Sequence, residues 1–180
     1  YSAEGEVEWA RSIGGNRYDY IESVSETSDG GYIVGGYFYS SSITVGDYTL
    51  KNEGSYDGML IKYNAEGEGE WAKSIGGSNY DQITSVSATI DGGYIVGGYF
   101  QSSSITVGDY TLKNAGSYDG MVIKFENIEL NNPTTIQAQS IGENGDTQIN
   151  SISATSDGGY IAGGYFRSTI ILDEEHTLTN

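Results

Sequence analysis

One ten-residue stretch occurs three times in the 180-residue chain, and it constrains the fold more than any other feature. It covers residues 29–38, 91–100 and 157–166, the last with Ala162 in place of a valine. Each copy opens with Asp-Gly-Gly, between an alternating run and a β-rich run. Because glycine adopts positive φ at low cost, this pattern predicts a tight turn between two antiparallel strands. The chain is therefore expected to repeat one β-hairpin.

A second glycine pair lies inside the predicted second strand of each hairpin, at Gly35-Gly36 in the first copy. Glycine within a strand usually marks a β-bulge or the close approach of another backbone. Since the pair recurs at the same place in all three copies, we expect each hairpin to pack against the next.

The repeat extends well beyond the hairpin. Residues 3–64 and 65–126 align without a gap and differ at roughly 13 of about 62 positions, and a third copy begins at residue 140. Each full copy contains four strand-like runs and a small extra hairpin that turns at Gly46-Asp47, and no stretch has a helical period. The sequence thus predicts an all-β protein of β-propeller-type blades, each of four antiparallel strands, with about two and a half to three repeats. A solenoid of β-hairpins is the alternative.

The order of motifs within a repeat suggests a family. Trp-Ala-Lys-Ser-Ile-Gly-Gly is followed by Asp-Gly-Gly-Tyr-Ile-Val-Gly-Gly and then by Tyr-Asp-Gly-Met-Val-Ile-Lys. This layout resembles the propeller repeats of large bacterial surface and secreted proteins and is similar to the SBBP family. The resemblance covers nearly the whole chain and implies an extracellular or cell-surface location. It rests on turn and core positions and carries no active site.

The same resemblance implies where the blades begin and end. Residues 1–16 are expected to be an outer strand that completes a preceding or closing blade. Blade 1 then covers residues 17–78, blade 2 covers 79–145, and part of blade 3 covers 146–180. Three blades are fewer than the roughly four to eight of a closed propeller, which indicates either a piece of a longer chain or a ring built by several chains.

Aromatic and glycine residues are the expected structural positions. The chain has 16 Tyr against 4 Phe and 2 Trp, with 27 Gly and 1 Pro. Such a composition predicts many tight turns and a core rich in rings with polar tips. Trp9 and Trp71 occupy equivalent places in successive repeats and are expected to be structural. The turn glycines form the other structural set: Gly30, Gly31, Gly92, Gly93, Gly158 and Gly159.

Charge and cysteine content exclude several classes of partner and site. The formal net charge is −17, from 25 acidic and 8 basic residues, and there is no cysteine. A negative field of this size repels phosphate backbones and anionic lipids, so we expect neither nucleic-acid binding nor membrane insertion. Without cysteine there is no disulfide, thiolate metal site or cysteine nucleophile.

Three turn aspartates are the candidate metal ligands. Asp29, Asp91 and Asp157 recur at equivalent places and would suit Ca²⁺, which prefers carboxylate and carbonyl oxygens. However, a single aspartate beside two glycines lacks the alternating acidic positions of a calcium loop. The favoured interpretation is that each side chain bonds its own turn backbone. No cofactor is expected, and calcium is the one candidate.

Loop aromatics provide the candidate ligand-binding site. Tyr18-Asp19 and Tyr80-Asp81 are equivalent pairs beside Ser, Asn and Asp residues. Sugar-binding surfaces combine aromatic platforms with such polar groups. We therefore take Tyr18, Asp19, Tyr80 and Asp81 as candidate contacts to a glycan or protein ligand.

The residues available for catalysis are few, and no catalytic residue is assigned. The only histidine is His176, in the last five residues, and no phosphate loop or zinc-protease motif occurs. Near-identical repeats also suit multivalent binding or plain structure better than one differentiated active site. We expect a non-enzymatic scaffold or adhesive module for glycans or proteins. The alternatives are a self-assembling protein whose chains complete each other's blades through open edges, and a glycan-active enzyme with a fold-assembled carboxylate pair.

Overall fold

The computed structural model describes residues 4–126, 133–167, 170–171 and 177–178, and His176 lies outside them. All of the secondary structure in these residues is β, in sixteen strands that form antiparallel sheets of four or two strands. Within the same residues, no helix is long and apolar enough to cross a membrane. The predicted all-β class is confirmed.

The first blade is a four-stranded sheet with the order β1-β2-β5-β6. Its strands are β1 (Asp19–Glu26), β2 (Tyr32–Phe38), β5 (Asp57–Tyr63) and β6 (Gly69–Ile75). Between β2 and β5 the chain forms a separate hairpin of β3 (Ser42–Val45) and β4 (Tyr48–Lys51). Both the four strands and the extra hairpin at Gly46-Asp47 were predicted from the sequence, and both are confirmed.

The second blade repeats the first, and a third begins after it. Its sheet contains β7 (Asp81–Ala88), β8 (Tyr94–Phe100), β11 (Asp119–Glu126) and β12 (Thr134–Ile141), with the hairpin β9 (Ser104–Val107) and β10 (Tyr110–Lys113). The third blade contributes β13 (Thr147–Ala154) and β14 (Tyr160–Phe166), followed by the short pair β15 (Ile170–Ile171) and β16 (Thr177–Leu178). Strand order and repetition are those of propeller-type blades.

The Asp-Gly-Gly turns connect the first two strands of each blade. In the first copy Gly30 has a φ of +80°, and the Gly30 amide donates to the carbonyl of Thr27 at 2.9 Å. Gly92 and Gly158 adopt nearly the same φ in the other two blades. A residue with a Cβ is strained at this angle, so glycine is what allows the turn to close. The hairpin prediction is confirmed.

The second glycine pair forms the contact between blades. A Cβ placed on Gly35 would lie 2.6 Å from Val86 Cγ1 and 2.8 Å from Ile83 Cγ2, both on the first strand of the second blade. Gly97 receives Ile149 and Ile152 of the third blade in the same way. The partner strand is bulged opposite each pair, for instance between Ile21 and Ser23. Both features predicted for these glycines, a β-bulge and the close approach of the next blade, are present.

Serine hydroxyls link the first strands of neighbouring blades. The Val86 amide donates to Ser23 Oγ at 3.1 Å, and the Ala88 amide donates to Ser25 Oγ at 3.2 Å. The next pair of blades repeats the second link, from the Ala154 amide to Ser87 Oγ at 3.2 Å. Blade stacking therefore combines apolar burial with hydrogen bonds that satisfy the backbone of an otherwise unpaired strand edge.

The segment before β1 was predicted to be an outer strand, and it is not a strand in the structure. Residues 4–18 have no neighbouring strand with which to form a ladder. They nevertheless cover the first blade, because the Trp9 ring lies 5.6 Å from the Tyr32 ring and Trp9 Nε1 donates to the carbonyl of Ala65. On the second blade, Trp71 of β6 lies 5.7 Å from Tyr94, the equivalent tyrosine. Trp9 thus holds the place of an outer-strand tryptophan.

A buried lysine stabilises the first blade near its Asp-Gly-Gly turn. Lys62 is almost fully buried on β5, and its Nζ lies 3.0 Å from Asp29 and 2.9 Å from Glu70. In the second blade the equivalent Lys124 is partly exposed and pairs with Asp91 at 2.9 Å. In the first blade a buried lysine forms two ion pairs, whereas in the second blade a partly exposed lysine forms one.

We expect Lys62→Met to destabilise the protein by about 2 kcal/mol, because it removes a buried cation from two carboxylates that are themselves partly exposed to solvent. Lys124→Met is the matched control and should cost at most about 1 kcal/mol, since an exposed pair contributes little. Urea denaturation of both variants at neutral pH measures the difference. Equal losses would contradict the assigned role of burial.

Candidate functional site

The two ends of each blade differ in chemistry. Because the strands are antiparallel, one end of each blade contains the starts of some strands and the ends of others; we call it the tyrosine-lined end. It contains the starts of β1, β5, β7 and β11 and the ends of β2, β6 and β8. The Asp-Gly-Gly turns lie at the opposite end, which we call the turn end. The candidate residues from the sequence divide between them: the Tyr-Asp pairs lie at the first and the three turn aspartates at the second.

A continuous series of tyrosine rings runs along the tyrosine-lined end. Tyr20 stacks on Tyr37 with ring centroids 5.0 Å apart, and Tyr37 lies 4.9 Å from Tyr56. Tyr56 in turn lies 4.8 Å from Tyr39 and 4.9 Å from Tyr80, which belongs to the second blade. These separations are those of favourable aromatic pairs. The series crosses the boundary between blades and so forms one surface.

The two tyrosines predicted as ligand contacts are both at this surface, but their exposure differs. Tyr18 is 75% exposed and Tyr80 is 37% exposed. Tyr80 packs on Tyr56 of the preceding blade, whereas the described residues contain no blade before the first to cover Tyr18. Among the described residues, no ring therefore covers Tyr18 as Tyr56 covers Tyr80.

A polar groove of about 560 Å³ adjoins these rings. Its lining combines aromatic faces with amide, hydroxyl and guanidinium groups: Asn16, Arg17, Tyr39, Ser41, Asn52, Ser55 and Tyr80. Part of the lining is held in place, because Asn52 Nδ2 donates to the carbonyl of Phe38 at 3.0 Å and the Arg17 amide donates to Ser40 Oγ at 3.0 Å. The groove is therefore largely preformed.

The aspartates of the same pairs point into the protein. Asp81 is fully buried and accepts hydrogen bonds from the amides of Gly77 and Ser102 and from the Ser102 hydroxyl, at 2.6 to 3.1 Å. Asp19 accepts the equivalent bonds from Gly15 and Ser40. In each blade the carboxylate thus links the loop before the first strand to the loop after the second strand. The tyrosines, and not the aspartates, are therefore exposed at this end.

The third blade changes this pair. Thr147 takes the place of Asp81. The Thr147 amide donates to the carbonyl of Tyr118, just as the Asp81 amide donates to the carbonyl of Tyr56. Asp146 takes the place of Tyr80, and its carboxylate lies 3.5 Å from Arg167. The third blade therefore continues the fold without repeating the aromatic contact.

The more buried tyrosines at this end have raised pKa values and stay neutral across the physiological range. Burial, with the Glu22 carboxylate and neighbouring rings, raises the pKa of Tyr37 to about 12. Burial also raises the pKa of Tyr56 and of Tyr99. A neutral phenol can donate and accept hydrogen bonds while its ring face remains available for stacking. The tyrosine-lined end therefore offers neutral hydrogen-bonding groups and ring faces side by side.

At the turn end, each aspartate bonds its own turn. Asp29 accepts hydrogen bonds from the Thr27 hydroxyl and the Gly31 amide, and Asp157 accepts those of Thr155 and Gly159. Burial opposes the shift, but the bonds from Thr27, Lys62 and Gly31 lower the pKa of Asp29 to about 2.

Asp91 has the same arrangement, with bonds from the Thr89 hydroxyl, Lys124 and the Gly93 amide. The Thr89 and Lys124 bonds lower its pKa to about 2. In the first two blades a lysine ammonium thus lies beside the carboxylate that a cation would need. No cluster of three or more His, Asp or Glu side chains suited to a metal occurs among the described residues.

Sequence reasoning did not identify Tyr56 and Asn52 as part of the surface. Both lie in the Asn-Glu-Gly-Ser-Tyr-Asp-Gly run before β5, which reads as turn chemistry. Their contribution arises because this run meets the loops before β1 and after β2 at the same blade end. The only available signal was the recurrence of Ser-Tyr-Asp-Gly at residues 117–120.

Asp57, directly after Tyr56, is a buried carboxyl that lacks a full set of partners. It is 1% exposed, and its Oδ2 accepts from the Glu53 amide at 2.9 Å while its Oδ1 has no partner in the described structure. Burial raises the pKa of Asp57 to about 6 against the lowering effect of the Glu53 amide, and the nearby Asp81 carboxylate adds to the rise.

Comparison with known proteins gives one informative similarity. The chain matches no established protein-family profile. It is 27% identical over 138 residues to an uncharacterized WD repeat-containing protein of Acanthamoeba polyphaga mimivirus. The aligned part covers 69% of this chain and 10% of that much longer protein. Together with the blades described above, this supports one fold. The chain is a β-propeller-type repeat array.

We expect the stability of the protein to fall as pH rises from about 4 to 6. With its folded-state pKa near 6 against 3.8 unfolded, Asp57 binds its proton more tightly in the folded chain. Ionisation of Asp57 therefore takes nothing from the free energy of unfolding below about pH 4, and its full cost is reached above about pH 6. Asp57→Asn should raise stability at pH 8 by up to about 3 kcal/mol and reduce the decline between pH 4 and 6.

Thermal melts from pH 4 to pH 8 test this expectation. Asp47→Asn, at the exposed turn of the β3–β4 hairpin in the same blade, is the matched control and should leave the profile unchanged. If the melting temperature of Asp57→Asn depends on pH as that of the wild type does, ionisation of Asp57 does not destabilise the folded chain.

Proposed function

We propose that the chain is a non-enzymatic scaffold whose tyrosine-lined end binds a glycan or protein ligand. The observation that carries this proposal is the tyrosine series from Tyr20 to Tyr80 beside a polar groove. Neutral aromatic faces flanked by amides and hydroxyls suit both sugar rings and protein side chains. The similarity to a WD repeat-containing protein supports a scaffold role, as repeat arrays offer extended binding surfaces.

Repetition favours binding over catalysis. The carboxylates at the tyrosine-lined end recur in both of the first two blades and are hydrogen-bonded within the fold: Asp19, Asp57, Asp81 and Asp119. The aromatic surface itself is not repeated evenly, because Gln82 and Gln101 of the second blade replace Tyr20 and Tyr39 of the first. The expected ligand is therefore a glycan or protein that contacts the first blade together with Tyr80. An extracellular or cell-surface location, as in the bacterial surface and secreted proteins that the repeat resembles, would supply such ligands and is part of this proposal.

The expected result of a glycan array is binding that depends on the exposed tyrosines. Tyr18→Ala/Tyr39→Ala should weaken binding by about 2 kcal/mol, roughly thirtyfold in Kd, because it removes aromatic contact area. Tyr160→Ala is the matched control, since Tyr160 is as exposed as Tyr80 but lies at the turn end.

Each result of that experiment has a distinct meaning. Unchanged binding by the double variant would place the ligand elsewhere on the blades. If the wild-type chain binds no glycan, sugars are removed as the ligand class, and a protein ligand is then tested with the same variants. Melting temperatures of the double variant and the control establish that each one is folded.

A further inference from the structure

The loop between β12 and β13 contains an asparagine-glycine pair that occurs nowhere else in the chain. It is Asn144-Gly145, and no other asparagine among the 180 residues is followed by glycine. The equivalent pairs are Asn16-Arg17 in the first blade and Ser78-Asn79 in the second. In this loop, the third blade alone therefore places a side-chain amide next to a residue that has no Cβ.

The Asn144 side chain is open to water because of the place of this loop in a blade. Asn144 is exposed, as are Asn16 and Ser78 at the equivalent positions. The blade that contains Ser78 packs against a blade on each side, at Gly35 and at Gly97. Neighbouring blades therefore leave this position exposed. The exposure of Asn144 is a property of the loop and does not depend on where the array ends.

An exposed asparagine followed by glycine can react with its own main chain. The Gly145 backbone nitrogen attacks Cγ of Asn144, and the bond from Cγ to the side-chain nitrogen breaks. That nitrogen leaves as ammonia and takes the proton of the Gly145 amide. The cyclic imide that remains takes up one water and opens at either of its two carbonyls. One opening gives aspartate, and the other gives isoaspartate, in which the main chain runs through the former side chain.

Glycine after the asparagine favours this attack. The attacking nitrogen has to approach Cγ closely, and a side chain on the following residue hinders that approach. Glycine has no Cβ and adopts unusual backbone conformations at low cost. The loop also leaves room for movement, since β12 ends at Ile141 and β13 begins at Thr147. Asn144 thus combines exposure to water with an unhindered nucleophile.

The isoaspartate product would change the contact between the second and third blades. The Thr147 amide donates to the carbonyl of Tyr118 at 2.7 Å, and a Cβ on Gly116 would lie only 2.4 Å from the carbonyl oxygen of Gly145. The loop therefore lies directly against the second blade. Isoaspartate adds one methylene to the main chain, and a close-packed contact does not absorb that length without a shift. Aspartate adds only a charge.

We propose that Asn144 is a site of spontaneous deamidation, and that its isoaspartate product loosens the contact between the second and third blades. The reaction consumes only water, so the modification accumulates with the age of each molecule. The site lies outside the tyrosine series, because Asp146 occupies the place in the third blade that Tyr80 occupies in the second. Failure of this proposal would therefore leave the ligand-binding proposal unchanged.

Incubation of the folded 180-residue chain at mildly alkaline pH, followed by proteolysis and mass spectrometry of the peptides, tests the proposal. Asn16 is the matched control in the same molecule, because it is exposed in the equivalent loop but precedes an arginine. Asn144 should convert at least about tenfold faster than Asn16, with isoaspartate among the products. Isomerisation at the Asp-Gly pairs releases no ammonia and leaves the mass unchanged, so it is not counted as deamidation.

Two variants separate the reaction from its consequence. Gly145→Arg recreates the first-blade pair and should slow the conversion of Asn144 to the rate of Asn16. Asn144→Asp carries the new charge without the added methylene and should melt like the fresh wild type. The isoaspartate fraction of an aged wild-type sample, separated by chromatography, should melt at a lower temperature than Asn144→Asp.

The wild type alone can overturn the proposal, whether or not a variant folds. Conversion of Asn144 no faster than that of Asn16 would do so. Conversion seen only in urea would do so as well, because the fold would then protect the loop. An isoaspartate fraction that melts like Asn144→Asp would overturn the proposed effect on the contact between blades.

Discussion

The contact between blades is the constraint on which the rest of the structure depends. Gly35 and Gly97 leave space for the branched side chains of the next blade, and a bulge in the partner strand accompanies each glycine pair. A side chain at either glycine would push the blades apart. Because the separation between blades fixes where their loops meet, this contact also determines that Tyr56 of one blade reaches Tyr80 of the next.

The two ends of a blade are stabilised by different means. At the turn end, hydroxyl and lysine groups hold the aspartates, and burial of Lys62 makes the first blade more polar inside than the second. At the tyrosine-lined end, Asp19 and Asp81 close the loops from within and aromatic rings cover the outside. A carboxylate is therefore structural at both ends. At the tyrosine-lined end this leaves the aromatic, amide and hydroxyl groups, with the Arg17 guanidinium, to form the surface.

Local patterns predicted the hairpins, the extra β3–β4 hairpin and the close approach at Gly35, because each depends on residues adjacent in sequence. The inward direction of Asp19 and Asp81 was not predicted, since the groups that bind them lie on a loop about twenty residues away. The continuity of the tyrosine series was missed for the same reason, as it joins two blades. Residues 4–18 form no strand, and the blade that residues 1–16 were expected to complete is not among the described residues, so that expectation stays a prediction.

Stacking also sets the order in which parts of the array open. In a linear repeat protein, stability is a sum of terms within units and between nearest neighbours. The middle blade packs against a neighbour on both faces, at Gly35 through Ile83 and Val86 and at Gly97 through Ile149 and Ile152. Opening the middle blade therefore breaks two contacts between units at once, which couples the first and third blades through it.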